Sequence, residues 1–141
     1  MEDALAEALL ETRRRHMKFT VALCPWLPAS GKPRVEALAL AESALTAVSG
    51  CRVLTIDLTG FDASKARHAF IRAVCSGSSV LALGLEGLSA DALEAAEAGL
   101  SSIQQWNPRA RALALSACPL PRGSAREAWT ASLPEPAAPR R

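Results

Sequence analysis

The chain has 141 residues, the length of one domain with a well-buried core. Half of it is apolar, yet it holds only 3 Trp, 3 Phe and no Tyr, so the core must be built from Leu, Ala, Val and Ile. Sixteen basic residues against fourteen acidic ones leave a net charge of +2, which argues against a dedicated nucleic-acid surface, and no apolar run is long enough for a membrane span.

The start, Met1-Glu-Asp-Ala, is acidic and lacks the basic n-region of a secretory signal, which predicts a cytoplasmic protein. Residues 1–17 are expected to form an N-terminal helix, from Glu2 to about Arg15. Leu5, Leu9 and Leu10 share a stripe, acids lead, and Arg13, Arg14 and Arg15 close it, as the helix dipole favours. The arginine triplet reads first as a solvated helix end and second as a phosphate contact.

From Lys18 onward strand and helix alternate. Lys18–Leu23 reads as a strand, and Arg34–Val48 as an Ala/Leu helix stopped by Ser49-Gly50. Arg52–Leu58, dense in β-branched residues, is the clearest strand. Asp62 is placed to cap a helix over Ala63–Val74, with Gly77 as its stop. Val80–Leu83 is a short apolar strand. Ser89 caps a helix over Ala90–Gln105 that Asn107-Pro108 ends, and Ala110–Ala117 gives a fourth strand. A last short helix is expected over Ser124–Ser132. The segment 134–141 reads as a disordered Pro-rich tail, the stretch Leu133–Arg141 holding 3 prolines. The expected architecture is α/β: a helical lead-in, then over 18–133 a three-layer sandwich around a four-stranded, mainly parallel sheet.

The first connection carries the most suggestive residues. Ala29-Ser30-Gly31-Lys32 follows the first strand and opens a helix, and with the strand and helix order it resembles the nucleotide-binding core of AAA+ ATPases, a P-loop NTPase family. The resemblance runs from residue 18 to about 121, with no counterpart for the family's fifth strand or helical lid. It implies phosphate binding by Gly31 and Lys32, and it makes the first and fourth strands neighbours. Three departures accompany it. Trp26 stands where the loop's first glycine belongs, and Pro33 where a hydroxyl should hold magnesium. Gly84 and Leu85 occupy the places of the two carboxylates that follow the apolar strand Val80–Leu83, with Glu86 late. Cys118 stands at the polar sensor position.

Other chemistry is thin. Cys24, Cys51, Cys75 and Cys118 are far apart without a CxxC or Cys/His cluster, which predicts reduced thiols and no metal site. Asp57 and Asp62 form a candidate acidic pair at the carboxyl edge of the sheet, or else a turn residue and a cap. His16 and His68 have no nucleophile placed beside them. Val21-Ala-Leu-Cys-Pro-Trp26, followed by a loop and helix, faintly resembles a thioredoxin active-site entry, without the second cysteine.

The resulting expectation is a non-catalytic, pseudo-ATPase-like domain that acts by protein–protein docking, as a homo-oligomer or on a larger ATPase, with no cofactor, metal, nucleic acid or membrane. Trp106 and Trp129 are its candidate interface anchors. The alternatives are a nucleotide or phosphate sensor, binding ATP or ADP through Gly31-Lys32, and a thioredoxin-like protein.

Overall fold

The computed structural model describes residues 2–27, 35–121 and 127–135. Its elements are α1 (Glu2–Arg14), β1 (Phe19–Leu23), α2 (Val35–Ser49), β2 (Val53–Asp57), α3 (Ala63–Ser76), β3 (Ser79–Leu83), a 3-10 turn (Leu85–Gly87), α4 (Ala90–Trp106), β4 (Ala112–Ser116) and β5 (Ala128–Ser132). All five strands are parallel and lie in one sheet in the order β2-β3-β4-β1-β5.

The helix boundaries have local causes. Asp62 caps α3, its carboxylate accepting the Lys65 backbone N–H at 2.8 Å, and Gly77 ends it in the left-handed region at φ 66°. Ser89 caps α4 by accepting the Ala92 N–H at 3.3 Å, and Asn107-Pro108 stops it. In α1 the buried stripe is Leu5, Ala8, Leu9 and Thr12, while Leu10 faces solvent. Thr12 ties the helix to the sheet through a 2.6 Å contact between its hydroxyl and that of Thr20 on β1.

Among the described residues the sheet has five strands, not four, and β5 stands at Ala128–Ser132 where the second part of the helix expected over Ser124–Ser132 would lie. Residues 122–126 lie outside the described residues. The reason for β5 is the free edge of β1. Lys18 and Phe19 donate their N–H groups to the Glu127 carbonyl at 2.7 and 3.3 Å, and Phe19–Leu23 then pairs residue for residue with Ala128–Ser132. Filling those backbone groups outweighs the weak helical preference of a short segment.

Alternation along the strands divides the core into two clusters. Phe19 and Val21 of β1, Val80 and Ala82 of β3 and Ala112 and Ala114 of β4 pack with Phe70 of α3 and Leu100 and Ile103 of α4. Ala22, Leu81, Leu83, Leu113 and Leu115 pack with Leu5 and Leu9 of α1 and with Ala37, Ala41 and Ala44 of α2. Side-chain size is complementary in each cluster. Sheet alanines meet large residues of α3 and α4, and sheet leucines meet the alanine face of α2, which lets helices lie close to the strands. Each fully buried leucine contributes about 1.5–3 kcal/mol by leaving water.

β3 and β4 are buried along their whole length, as near-continuous apolar strands require. β2, the clearest strand by composition, is an edge strand with Leu54, Thr55 and Asp57 exposed.

Candidate functional site

In an open parallel sheet the carboxyl ends of the strands are where ligands bind, and here those of β1, β4 and β3 lie side by side. β1 and β4 pair in parallel, and the Cys24 N–H continues their ladder to the Ser116 carbonyl at 2.8 Å. This is the adjacency that the resemblance implies. Gly31 and Lys32 lie outside the described residues. On their β1 side the chain turns at Cys24–Leu27, where the Leu27 N–H donates to the Cys24 carbonyl, and the Trp26 indole N–H donates to the Leu133 carbonyl at 3.1 Å.

The end of β3 is closed to a carboxylate. Gly84 has φ 76°, and a Cβ there would stand 2.8 Å from the Thr59 backbone nitrogen and 3.1 Å from Asp57 Oδ1. Such a contact with backbone cannot be relieved by a rotamer change, and the left-handed conformation adds strain for any other residue. Leu85, the next position, is 1% exposed and belongs to the core. Glu86 follows in the 3-10 turn and points back to β4, its Oε2 lying 3.2 Å from Ser116 Oγ. The Ser116 hydroxyl also reaches the Cys118 carbonyl, and with a single proton it donates to one acceptor at a time. Ser116, rather than Cys118, is the polar side chain at the end of β4. The sequence carries that signal only as a serine closing an apolar run.

Asp57 and Asp62 do not act as an acidic pair. The Asp57 carboxylate accepts the Thr59 N–H at 3.0 Å in a turn, and Asp62 caps α3. Asp57 also ends the edge strand, which β3 and β4 separate from β1, or about 14 Å at three strand spacings.

None of the four cysteines forms a disulfide, and among the described residues no cluster of three metal-ligating side chains occurs. Cys24 is fully buried and burial pushes its thiol up to about 11, whereas Cys75 and Cys118 are exposed. A buried, protonated thiol is a poor nucleophile, which disfavours thioredoxin chemistry at Cys24. The sign of its effect on stability follows. Because the folded-state value is raised from 9.0 to about 11, the contribution is full below pH 9 and is lost as pH rises toward 11. Alkaline unfolding of the parent chain should therefore show a loss between pH 8 and 11 that exceeds that of Cys24→Ala by roughly 2–3 kcal/mol, at 1.36 kcal/mol per pH unit. Urea midpoints at those pH values measure it; equal losses would remove the assignment.

The basic groups near the start of the sheet have structural partners. Arg14 and Arg15 both bridge Glu11, at 2.7 and 2.8 Å, and hold its carboxyl below the usual value, the Arg15 hydrogen bond contributing most. Arg15 also stacks on Trp129, 4.3 Å from the ring centroid. Lys18 pairs with Glu127 at 3.0 Å. Arg111, 4% exposed, donates to the carbonyls of Pro108, Arg109 and Ala110 beyond the end of α4. These carbonyls belong to the loop between α4 and β4 and take up one end of the guanidinium, while its Nε–H is buried without a partner among the described residues.

A further depression lies elsewhere, on the outer side of α3 and α4. It is a groove of about 950 Å³ between the two helices, lined by Ile71, Val74 and Cys75 of α3 and by Ala95, Ala98 and Trp106 of α4, among others. Arg67 flanks it on α3, and Asp91 and Glu94 on α4. Trp106 is 71% exposed and Ile71 58% exposed, so the first of the two expected anchors is free and the second, Trp129, is half-buried under Arg15. No helix among the described residues is long and apolar enough to cross a membrane.

No family model matches the chain, nor does any curated protein or solved structure.

Proposed function

We propose that this chain is a degenerate AAA+-like domain, a three-layer α/β unit that has no hydrolytic site and works by docking onto protein. The observation that carries the reading is the end of β3. Where the resemblance places a magnesium ligand, the backbone needs glycine and Thr59 fills the space of a side chain; where it places the water-activating acid, Leu85 is in the core. The sheet order β2-β3-β4-β1-β5 supports the AAA+-like part, because β1 lies beside β4 and a fifth strand flanks it on its other side. The two apolar clusters, one holding α1 and α2 and the other α3 and α4, support the three-layer arrangement. An exposed tryptophan on an apolar groove supports docking.

The competing reading, a nucleotide or phosphate sensor, rests on Glu86 and Ser116, which remain polar at the β3–β4 edge beside β1. Titration with fluorescent ATP and ADP in the presence of magnesium, repeated on Lys32→Ala, separates the two. The docking reading expects no saturable binding up to millimolar nucleotide and no phosphate release. Saturable binding that disappears in Lys32→Ala would replace it with the sensor.

A further inference from the structure

α3 and α4 differ in charge as completely as two neighbouring helices can. α3 carries Lys65, Arg67, His68 and Arg72 and no acid; α4 carries Asp91, Glu94 and Glu97 and no base. Both helices connect neighbouring parallel strands and pack on the same apolar cluster, so they run in the same direction side by side. Between them lies the groove, its apolar lining open to solvent, with Arg67 on one bank and Asp91 and Glu94 on the other. Among the described residues none of these three groups enters an ion pair.

We infer that the groove is occupied by a second copy of this chain, in a two-fold dimer that lays α3 of each protomer over α4 of the other. A two-fold axis along the groove, parallel to both helices, brings the basic helix opposite the acidic one twice over. The same operation keeps equal heights along the helices together. Arg67 then faces the acids of the partner's α4, and Trp106, at the far end of α4, faces the apolar end of the partner's α3. The surface is thus complementary to itself, as an isologous interface requires, whereas an unrelated partner would have to match both banks independently. The inference rests on the docking reading and names its partner.

The size of the surface sets the strength. Helices of 14 and 17 residues present a face about 20 Å by 25 Å, or about 500 Å² of projected area per copy, toward the small end of specific interfaces. Association in the micromolar range is expected, with the charged half screened by salt.

Charge reversal tests the geometry. Arg67 and Glu94 are both exposed, so Arg67→Glu and Glu94→Arg should leave the fold intact, which circular dichroism and the thermal midpoint verify. Each variant alone sets like charges against each other twice and should weaken self-association at least tenfold in sedimentation equilibrium at low salt. An equimolar mixture restores every opposite-charge pair: one half of the heterodimer is native and the other is inverted. It should therefore recover the parent's affinity. A parent chain that stays monomeric to several hundred micromolar overturns the inference while leaving docking onto other proteins standing. So does a parent dimer that neither reversal weakens, which would point to the open β2 edge, and so does a mixture that fails to associate. Nucleotide titration does not enter this test, so the fate of the sensor reading is decided separately.

Discussion

A Gly84→Asp variant should be less stable than the parent by about 2–4 kcal/mol and should gain no ATPase activity. The change restores the carboxylate that the AAA+-like pattern lacks, so a merely mutated site would be partly repaired by it. The structure gives the opposite expectation. At φ 76° aspartate tolerates the backbone better than most residues, but its Cβ meets the Thr59 nitrogen at 2.8 Å and approaches the Asp57 carboxylate at 3.1 Å. The turn after β2 would have to move, breaking the bond from the Thr59 N–H to Asp57, and two carboxylates would be brought together. Urea unfolding followed by tryptophan fluorescence measures the loss, and a phosphate-release assay measures the activity. A variant as stable as the parent that hydrolyses ATP would show that the end of β3 is a damaged active site, and the docking reading would have to be abandoned.

Much of this architecture is written locally, and what is not written follows from pairing. Asp62, Gly77, Ser89 and Asn107-Pro108 each act through backbone groups within four residues, so the ends of α3 and α4 are legible from sequence. β3 and β4 are legible because strands buried on both sides leave no polar alternation. β5 is not legible. Its segment has no strong period, and what makes Ala128–Ser132 a strand is the free edge of Phe19–Leu23, more than a hundred residues earlier. β2 shows the reverse error: its β-branched composition marks it as a strand but not as an edge, since edge position depends on what else the sheet recruits. The candidate site divides in the same way. The absence of carboxylates at Gly84 and Leu85 can be read directly, yet the reason a carboxylate does not fit there is the turn at Thr59, which comes from another strand. The groove could have been suspected from the charge division between α3 and α4. That signal becomes meaningful only when both helices are known to lie on one side of the sheet.

The second large effect concerns the floor of that groove, where Phe70→Ala should cost about 3–5 kcal/mol and Gly99→Ala about 1–2 kcal/mol net. Phe70 is 3% exposed, and its removal leaves a hole between α3, α4 and the alanines of the sheet. Gly99 sits within α4 at the point where the helices touch. A Cβ there would stand 2.7 Å from Phe70 Cβ and closer still to the ring carbons. Alanine in place of a mid-helix glycine is ordinarily worth about 1 kcal/mol in propensity, so a net loss means that overpacking wins. The ring is confined by the sheet beneath it and cannot yield cheaply. The two losses should not add. Once Phe70 is alanine, the Cβ at position 99 has room, the propensity gain is recovered, and Gly99→Ala becomes neutral or stabilising by up to about 1 kcal/mol. The coupling energy expected from the four urea midpoints is about 1–3 kcal/mol, measured at a protein concentration too low for association. Additivity within about 0.5 kcal/mol would mean that the helices do not meet at Gly99. It would also undermine the groove, because the close approach at this residue holds the basic and acidic helices side by side with their outer faces in one surface.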